Sequence, residues 1–145
     1  MISRIQSIMV AADGSDSSNR AIDVAAALAK TEGAHLTIVT VATPVAEKAK
    51  REFQRIEGNM SDPAEAAGQI ILAEAQQRAG WADMKAKTIL LWGDAAEALI
   101  NAIMSEKIDA VVVGRRGRGQ LAGLLLGSVS QKLVSLSPCM IIVVP

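Results

Sequence analysis

The chain has 145 residues, half of them hydrophobic and mostly aliphatic, with one Phe, two Trp and no Tyr. This length fits one domain, expected to span residues 1–145, that can bury a core without disulfides or metal. Fifteen basic and fifteen acidic residues give a formal net charge of zero. Charge balance argues against a nucleic-acid or membrane-surface binder, and the scarcity of aromatic residues leaves no platform for stacking bases.

The N-terminal part predicts a strand, a helix and a second strand. The first strand, Ile5–Ala12, contains a fully apolar run, which is typical of a central strand covered on both faces. The turn and N-cap residues of Asp13–Ser18 follow it. A helix with one apolar face then stops at Gly33, and the second strand is Leu36–Val41.

The middle of the chain predicts a connection, a helix and a third strand. Val45–Ile56 is charged and has apolar residues at helical spacing, and we interpret it as a connection of variable length. Asp62 and Pro63 are a cap and a first helical residue, and this helix runs to Gly80. The third strand, Met84–Leu91, begins with alternating lysines, which fits an edge strand.

The C-terminal part completes a regular alternation. Asp94–Glu97 is a capping-box signature that opens a helix. It is followed by a buried strand at Ile108–Val113, a helix at Ser128–Leu136 and a last strand at Met140–Val144. The alternation predicts an α/β fold: a single-domain, open, five-stranded parallel sheet of order 3-2-1-4-5 with helices on both faces, Rossmann-like.

Two loops with binding chemistry follow the strands predicted to be central. Asp13-Gly14-Ser15 follows strand 1, and Gly114-Arg115-Arg116-Gly117 follows strand 4. Further on, Gly127-Ser128 precedes the last helix, where free amides and the helix dipole favour an anion. Ligands of open α/β sheets sit where the strand order reverses, so both loops are expected to border one phosphate-binding crevice.

These residues resemble the ATP-binding branch of the universal stress protein family. That family's signature, G-x2-G-x9-G-[ST], matches Gly114, Gly117, Gly127 and Ser128 without a gap. The stretch Asp13–Ala21 is similar to its D-G-S-x-x-S-x-x-A loop. The resemblance covers the whole chain, and it implies a universal stress protein domain over residues 1–145.

The resemblance also implies roles for individual residues around an adenine nucleotide. It places the adenosine end near Ala12, Asp13 and Val41, with Val113 and Gly114 bordering the ribose and base. It places the phosphates against Gly117, Gly127, Ser128, Val129 and Ser130. The loop arginines fall where the family varies, and Arg116 is the one included among the candidate binding residues. An alternative role for Asp13 is that it caps the first helix.

Other nucleotide and catalytic motifs fail. There is no Gly-x4-Gly-Lys-Ser/Thr loop, and the G-x-G-x-x-A match at residues 117–122 lacks the acidic residue that a dinucleotide fingerprint needs. One His, one Cys and no clustered metal ligands leave no common metal site or nucleophile–base pair. We therefore expect an ATP-binding stress-response protein that works as a nucleotide-occupancy sensor and is not an enzyme. Alternatives are a slow ATPase, or an interaction protein with a vestigial loop.

Partners and location complete these expectations. Met140–Val144 is an apolar, uncharged strand at a predicted sheet edge, and pairing with a second copy would cover it. A homodimer is therefore expected, as the family resemblance also implies, together with a protein partner of unknown identity. No signal-peptide core follows the N-terminus, so the default location is the cytoplasm. Whether Mg²⁺ or Mn²⁺ accompanies the ATP phosphates stays open.

Overall fold

The structure, a computed structural model, describes residues 4–80, 83–115 and 126–145. Helices and strands alternate throughout this part of the chain. In chain order the elements are β1 (Ser7–Ala11), α1 (Asp16–Glu32), β2 (His35–Ala42), α2 (Glu47–Glu57), α3 (Pro63–Gly80), β3 (Ala86–Trp92), α4 (Ala95–Ser105), β4 (Ala110–Gly114), α5 (Ser128–Leu136) and β5 (Met140–Val144).

The strands form one parallel sheet whose order is β3-β2-β1-β4-β5. In the centre of the sheet, Met9 of β1 lies level with Thr37 of β2 on one side and with Val111 of β4 on the other. The predicted fold class and strand order are therefore confirmed. The chain winds from β1 outward to β3, then returns across β1 to β4, so the strand order reverses between β1 and β4.

The two faces of the sheet bury separate cores. One core packs α1 and α3 against side chains that include Ile8, Ile38 and Val112. The other core packs α4 and α5 against the opposite face, around Met9 and Val39. Fully burying an aliphatic side chain of this size contributes about 1.5–3 kcal/mol, so the two apolar faces supply most of the stabilisation.

Side-chain caps begin the helices at the residues that the sequence predicts. The Asp62 carboxylate accepts a hydrogen bond from Ala64 N at 2.9 Å, and the Asp94 carboxylate accepts one from Glu97 N at 3.1 Å. Gly33 ends α1 in the left-handed conformation, with φ of +65°, which glycine adopts without steric cost. Local chemistry alone therefore fixes these helix ends.

Several predicted segments differ from the observed ones, including the third and fourth strands, which begin at Ala86 rather than Met84 and at Ala110 rather than Ile108. The first strand begins at Ser7 rather than Ile5, because the Asp109 carboxylate accepts the Gln6 and Ser7 amides at 2.8 and 3.1 Å. The segment interpreted as a connection contains a regular helix, α2, none of whose residues is buried. Within the described ranges, no helix combines the length and the apolar character needed to cross a membrane.

Candidate functional site

A cleft of about 430 Å³ opens at the carboxyl ends of β1, β2 and β4. Every predicted binding residue that the structure describes lines this cleft, and these residues are Ala12, Asp13, Val41, Val113, Gly114, Gly127, Ser128, Val129 and Ser130. The other two, Arg116 and Gly117, lie outside the described residues. The fold therefore brings together two loops that are about a hundred residues apart in the chain.

Three hydrogen bonds join polar groups within the loop after β1. The Asp13 carboxylate accepts a hydrogen bond from Ser15 N at 2.9 Å, and the Ser18 hydroxyl oxygen accepts one from Asp13 N at 3.0 Å. The Ser15 hydroxyl oxygen caps α1 by accepting the Ser18 amide at 3.2 Å. The cap of α1 is therefore Ser15, and Asp13 shapes the turn that precedes it.

The start of α5 is arranged differently. Gly127 is its N-cap residue and has no side chain with which to cap the helix. The following residues, Ser128, Val129 and Ser130, form the first turn and line the cleft. Amides in a first turn have no acceptor within their own helix, and the helix dipole places partial positive charge there. This turn therefore presents hydrogen-bond donors to the cleft.

Ser130 holds this turn against the end of β4. Its hydroxyl donates to the Gly114 carbonyl at 2.8 Å, and its side chain is buried. The Gly127 amide donates to the Arg115 carbonyl at 2.8 Å, which adds a second tie between the same two segments. Because the Ser130 hydroxyl already donates to a carbonyl, its role is to position the turn. Within the described residues, the Ser128 hydroxyl makes no such hydrogen bond and can donate to a ligand.

Gly114 is required by the approach of α1. A Cβ added at this position would lie 2.8 Å from the Ser17 carbonyl carbon and would also overlap the Ser17 hydroxyl oxygen. Ser17 itself is held there by its hydroxyl, which donates to the Val144 carbonyl at 3.2 Å. This glycine of the sequence motif therefore has two roles. It lines the cleft, and its lack of a side chain allows α1 to pack closely.

The walls of the cleft are mostly apolar. Val41 and Val113, from the ends of β2 and β4, were expected there, and Leu99 of α4 and Ile71 of α3 join them. The lining residues that sequence reasoning missed are Ala11, Ser15, Ser18, Val39, Thr40, Thr43, Ile71, Ala95 and Leu99. Ser15 and Ser18 stand in the first-loop motif and could have been found from it, whereas the residues of α3 and α4 carry no local signal.

Charge is sparse in the described part of the cleft, where Asp13 is the one charged lining residue. Beside the cleft, Arg115 has its Nε buried without a hydrogen-bond partner among the described residues. No group of three or more His, Cys, Asp or Glu side chains suited to a metal ion occurs within those residues. In the described part of the cleft, an anion would therefore be bound by amides, hydroxyls and the partial positive charge at the start of α5.

Comparison with known proteins agrees with this architecture. The family model described as "Universal stress protein family" matches residues 4–145. A universal stress protein from Thermus aquaticus is 37% identical over 139 residues, which cover 96% of this chain and 98% of that protein.

Two solved structures extend the comparison. A universal stress protein from Lactobacillus plantarum has a TM-score of 0.80 at 21% identity, covering 99% of this chain and 100% of that one. A universal stress protein solved in complex with cAMP has a TM-score of 0.73 at 34% identity, and 99% of each chain is covered. The family match spans nearly the whole sequence, and the similarity of fold is equally extensive. This chain belongs to the universal stress protein family.

Proposed function

We propose that this protein binds an adenine nucleotide in the cleft, with ATP as the expected ligand, and that occupancy of the cleft is its signal. The observation that carries the proposal is the first turn of α5, which has no side-chain cap and opens onto an apolar cleft. Apolar walls suit a flat base, whereas amides and a hydroxyl suit a phosphate. A partner protein or a second copy of the chain would then sense the occupied state.

The strand order supports one orientation of the nucleotide. Val41 is the penultimate residue of β2, and the turn at Ser128 follows β4, with β1 between the two strands. Two strand spacings separate these ends by about 10 Å, a distance that a nucleoside monophosphate can span. The base would therefore lie against Val41 and the apolar walls, and the phosphates would lie against Ser128 and Val129.

Two further observations support an adenine nucleotide. The sequence carries the complete G-x2-G-x9-G-[ST] spacing, and its described positions, Gly114, Gly127 and Ser128, all line the cleft. The related structure at 34% identity is a complex with cAMP. ATP follows from the motif, and cAMP is the competing ligand that this relative suggests.

We propose that the bound nucleotide is turned over slowly at most. His35, the single histidine of the chain, begins β2, and Cys139, the single cysteine, immediately precedes β5. In a parallel sheet these positions lie at the edge opposite the cleft. Neither side chain is therefore placed to act as a base or nucleophile on a ligand bound at the carboxyl ends of the strands.

The experiment is to identify and titrate the nucleotide. Purified protein is heated, released nucleotides are identified by chromatography, and stripped protein is titrated with ATP, ADP, AMP and cAMP by calorimetry, with Mg²⁺ or Mn²⁺ and with chelator. We expect stoichiometric binding of at least one of these ligands, and tightest binding of ATP. Absence of released nucleotide together with no binding heat would reject the proposal, and rapid phosphate release from ATP would favour an enzyme instead.

We further propose that β5 forms a homodimer interface. β5 is a sheet edge without charged residues, and its first residue Met140 is half exposed, as are Val134 and Leu136 of the preceding helix. The other edge, β3, carries Lys87, which pairs with Glu106 at 2.9 Å. A charged edge resists pairing with another strand, and an apolar edge invites it.

The dimer is tested by sedimentation. Met140→Lys places a charge beside the β5 edge, and Met60→Lys makes the same change at a methionine that is 84% exposed and lies just beyond α2. We expect Met140→Lys to shift the protein to monomer at micromolar concentration, and Met60→Lys to leave the dimer unchanged. A wild-type protein that sediments as a monomer at all concentrations would contradict this proposal.

A further inference from the structure

We propose that the Thr40 hydroxyl hydrogen-bonds the polar edge of the base. This inference rests on the proposed function, because it assigns a role within the same cleft. Thr40 lies near the carboxyl end of β2, one residue before Val41, and it lines the cleft. Neither the sequence motif nor the spacing of the phosphate loop includes it.

The Thr40 hydroxyl has no protein partner in the described part of the chain, although the residue is only 3% exposed. Among the same residues, the only side-chain polar atom that is both sealed from solvent and unpartnered is Arg115 Nε. The Thr40 hydroxyl is therefore not fully sealed from solvent, and the cavity that the residue lines is the cleft. Buried hydroxyls normally have a partner, so this one is available to a ligand.

Packing on the other side fixes the direction of the side chain. Helix α3 comes close to Thr40 at Gly68, where an added Cβ would lie 3.7 Å from Thr40 Cγ2. The methyl group thus lies on the side of the helix, and a β-branched side chain has few preferred rotamers. A methyl group on the α3 side leaves the hydroxyl free to face the cleft that the residue lines.

The surroundings of Thr40 suit the base end of a nucleotide. Val41 and Ile71 supply apolar surface there, and β2 is separated from the phosphate-binding turn by β1. A hydroxyl both donates and accepts, so it can pair with a ring nitrogen or with an exocyclic amine of a purine. In this apolar setting a hydroxyl without a partner contributes nothing to packing that valine would not, and a base in the cleft would supply the missing partner.

The test separates the hydroxyl from the shape of the side chain. Thr40→Val keeps the shape and is expected to weaken ATP binding about tenfold, the effect of one hydrogen bond in a closed site. Thr40→Ser keeps the hydroxyl and is expected to stay within about twofold of wild type. Inorganic triphosphate, which has no base, is expected to bind Thr40→Val and wild type equally. The melting temperature of ligand-free Thr40→Val is not expected to fall.

Thr37→Val is the matched control, because Thr37 is a buried threonine of the same strand and does not line the cleft. It is expected to leave ATP affinity unchanged. If wild-type protein binds ATP and Thr40→Val binds it equally well, the role of Thr40 is overturned and the proposed function is not. A fall in melting temperature that accompanies the lost affinity would make the role structural and overturn it as well. Wild-type protein that binds no adenine nucleotide would remove both this inference and the proposed function.

Discussion

Helices α1 and α5 both begin at the cleft, yet their first turns are built in opposite ways. Before α1, Asp13, Ser15 and Ser18 satisfy one another through three hydrogen bonds of 2.9–3.2 Å. At α5, the N-cap is Gly127 and no side chain caps the helix. One turn therefore keeps its shape without a ligand, and the other leaves donors open to the cleft.

The difference assigns separate tasks to the two loops. The first loop supplies a fixed wall, because the amides of Asp13, Ser15 and Ser18 already donate within it. The uncapped turn supplies the attraction for an anion, because helix amides and dipole act there together. Changes in the first loop should therefore alter stability, and changes in the second should alter affinity.

The largest effect is expected where α1 meets the end of β4. Gly114→Ala places a methyl group against the Ser17 backbone and is expected to reduce the free energy of unfolding by about 3 kcal/mol. Urea unfolding measures the loss. Gly80→Ala is the control, because a Cβ there meets open space, and it should not destabilise the protein. A stable Gly114→Ala protein would show that α1 can move away from β4.

The next effect concerns ligand affinity. Gly127 has φ of −73° and ψ of 168°, which any residue can adopt, so Gly127→Val is expected to change the free energy of unfolding by less than about 1 kcal/mol. Because Gly127 lines the cleft beside the uncapped turn, the added side chain is expected to weaken ATP binding at least tenfold in calorimetric titration. Unaltered affinity would mean that the ligand does not approach this turn.

A pair of serine substitutions compares the two turns directly. Ser15→Ala removes the cap of α1 and is expected to lower the free energy of unfolding by about 1 kcal/mol, with little change in ATP affinity. Ser128→Ala is expected to leave stability unchanged and to weaken ATP binding about fivefold, through one lost hydrogen bond. Thermal unfolding and calorimetry on both variants measure the four quantities. Equal effects of the two changes would abolish the distinction between the turns.

The smallest effect is expected at an exposed ion pair between α1 and α3. Arg78 donates from Nε and Nη2 to the two Asp23 carboxylate oxygens, each at 2.8 Å, and these hydrogen bonds raise the pKa of Arg78. Both side chains are largely exposed, so Arg78→Ala is expected to cost less than about 0.5 kcal/mol in urea unfolding. A larger loss would show that this pair, rather than the capped start, positions α1.

Much of the fold could be predicted from local sequence features. Apolar runs identify the strands, and the caps at Asp62 and Asp94 place helix starts where the structure has them. The strand order follows from the central character of β1 and the alternation of elements. The start of β1 was misplaced because the carboxylate that replaces its first pairings, that of Asp109, is about a hundred residues away.

By itself, the sequence determined the described elements other than α2, their order and the two loops that face the cleft, because turn glycines, capping side chains and apolar periodicity act over a few residues. Only the tertiary structure decided which side chains complete the cleft and why position 114 has to be a glycine. Ile71, Leu99 and Thr40 reach the cleft through packing between distant elements, and Gly114 is fixed by its contact with Ser17. Such contacts depend on the position that each helix takes on the sheet. That position is set by many long-range packing contacts, which no short stretch of sequence encodes.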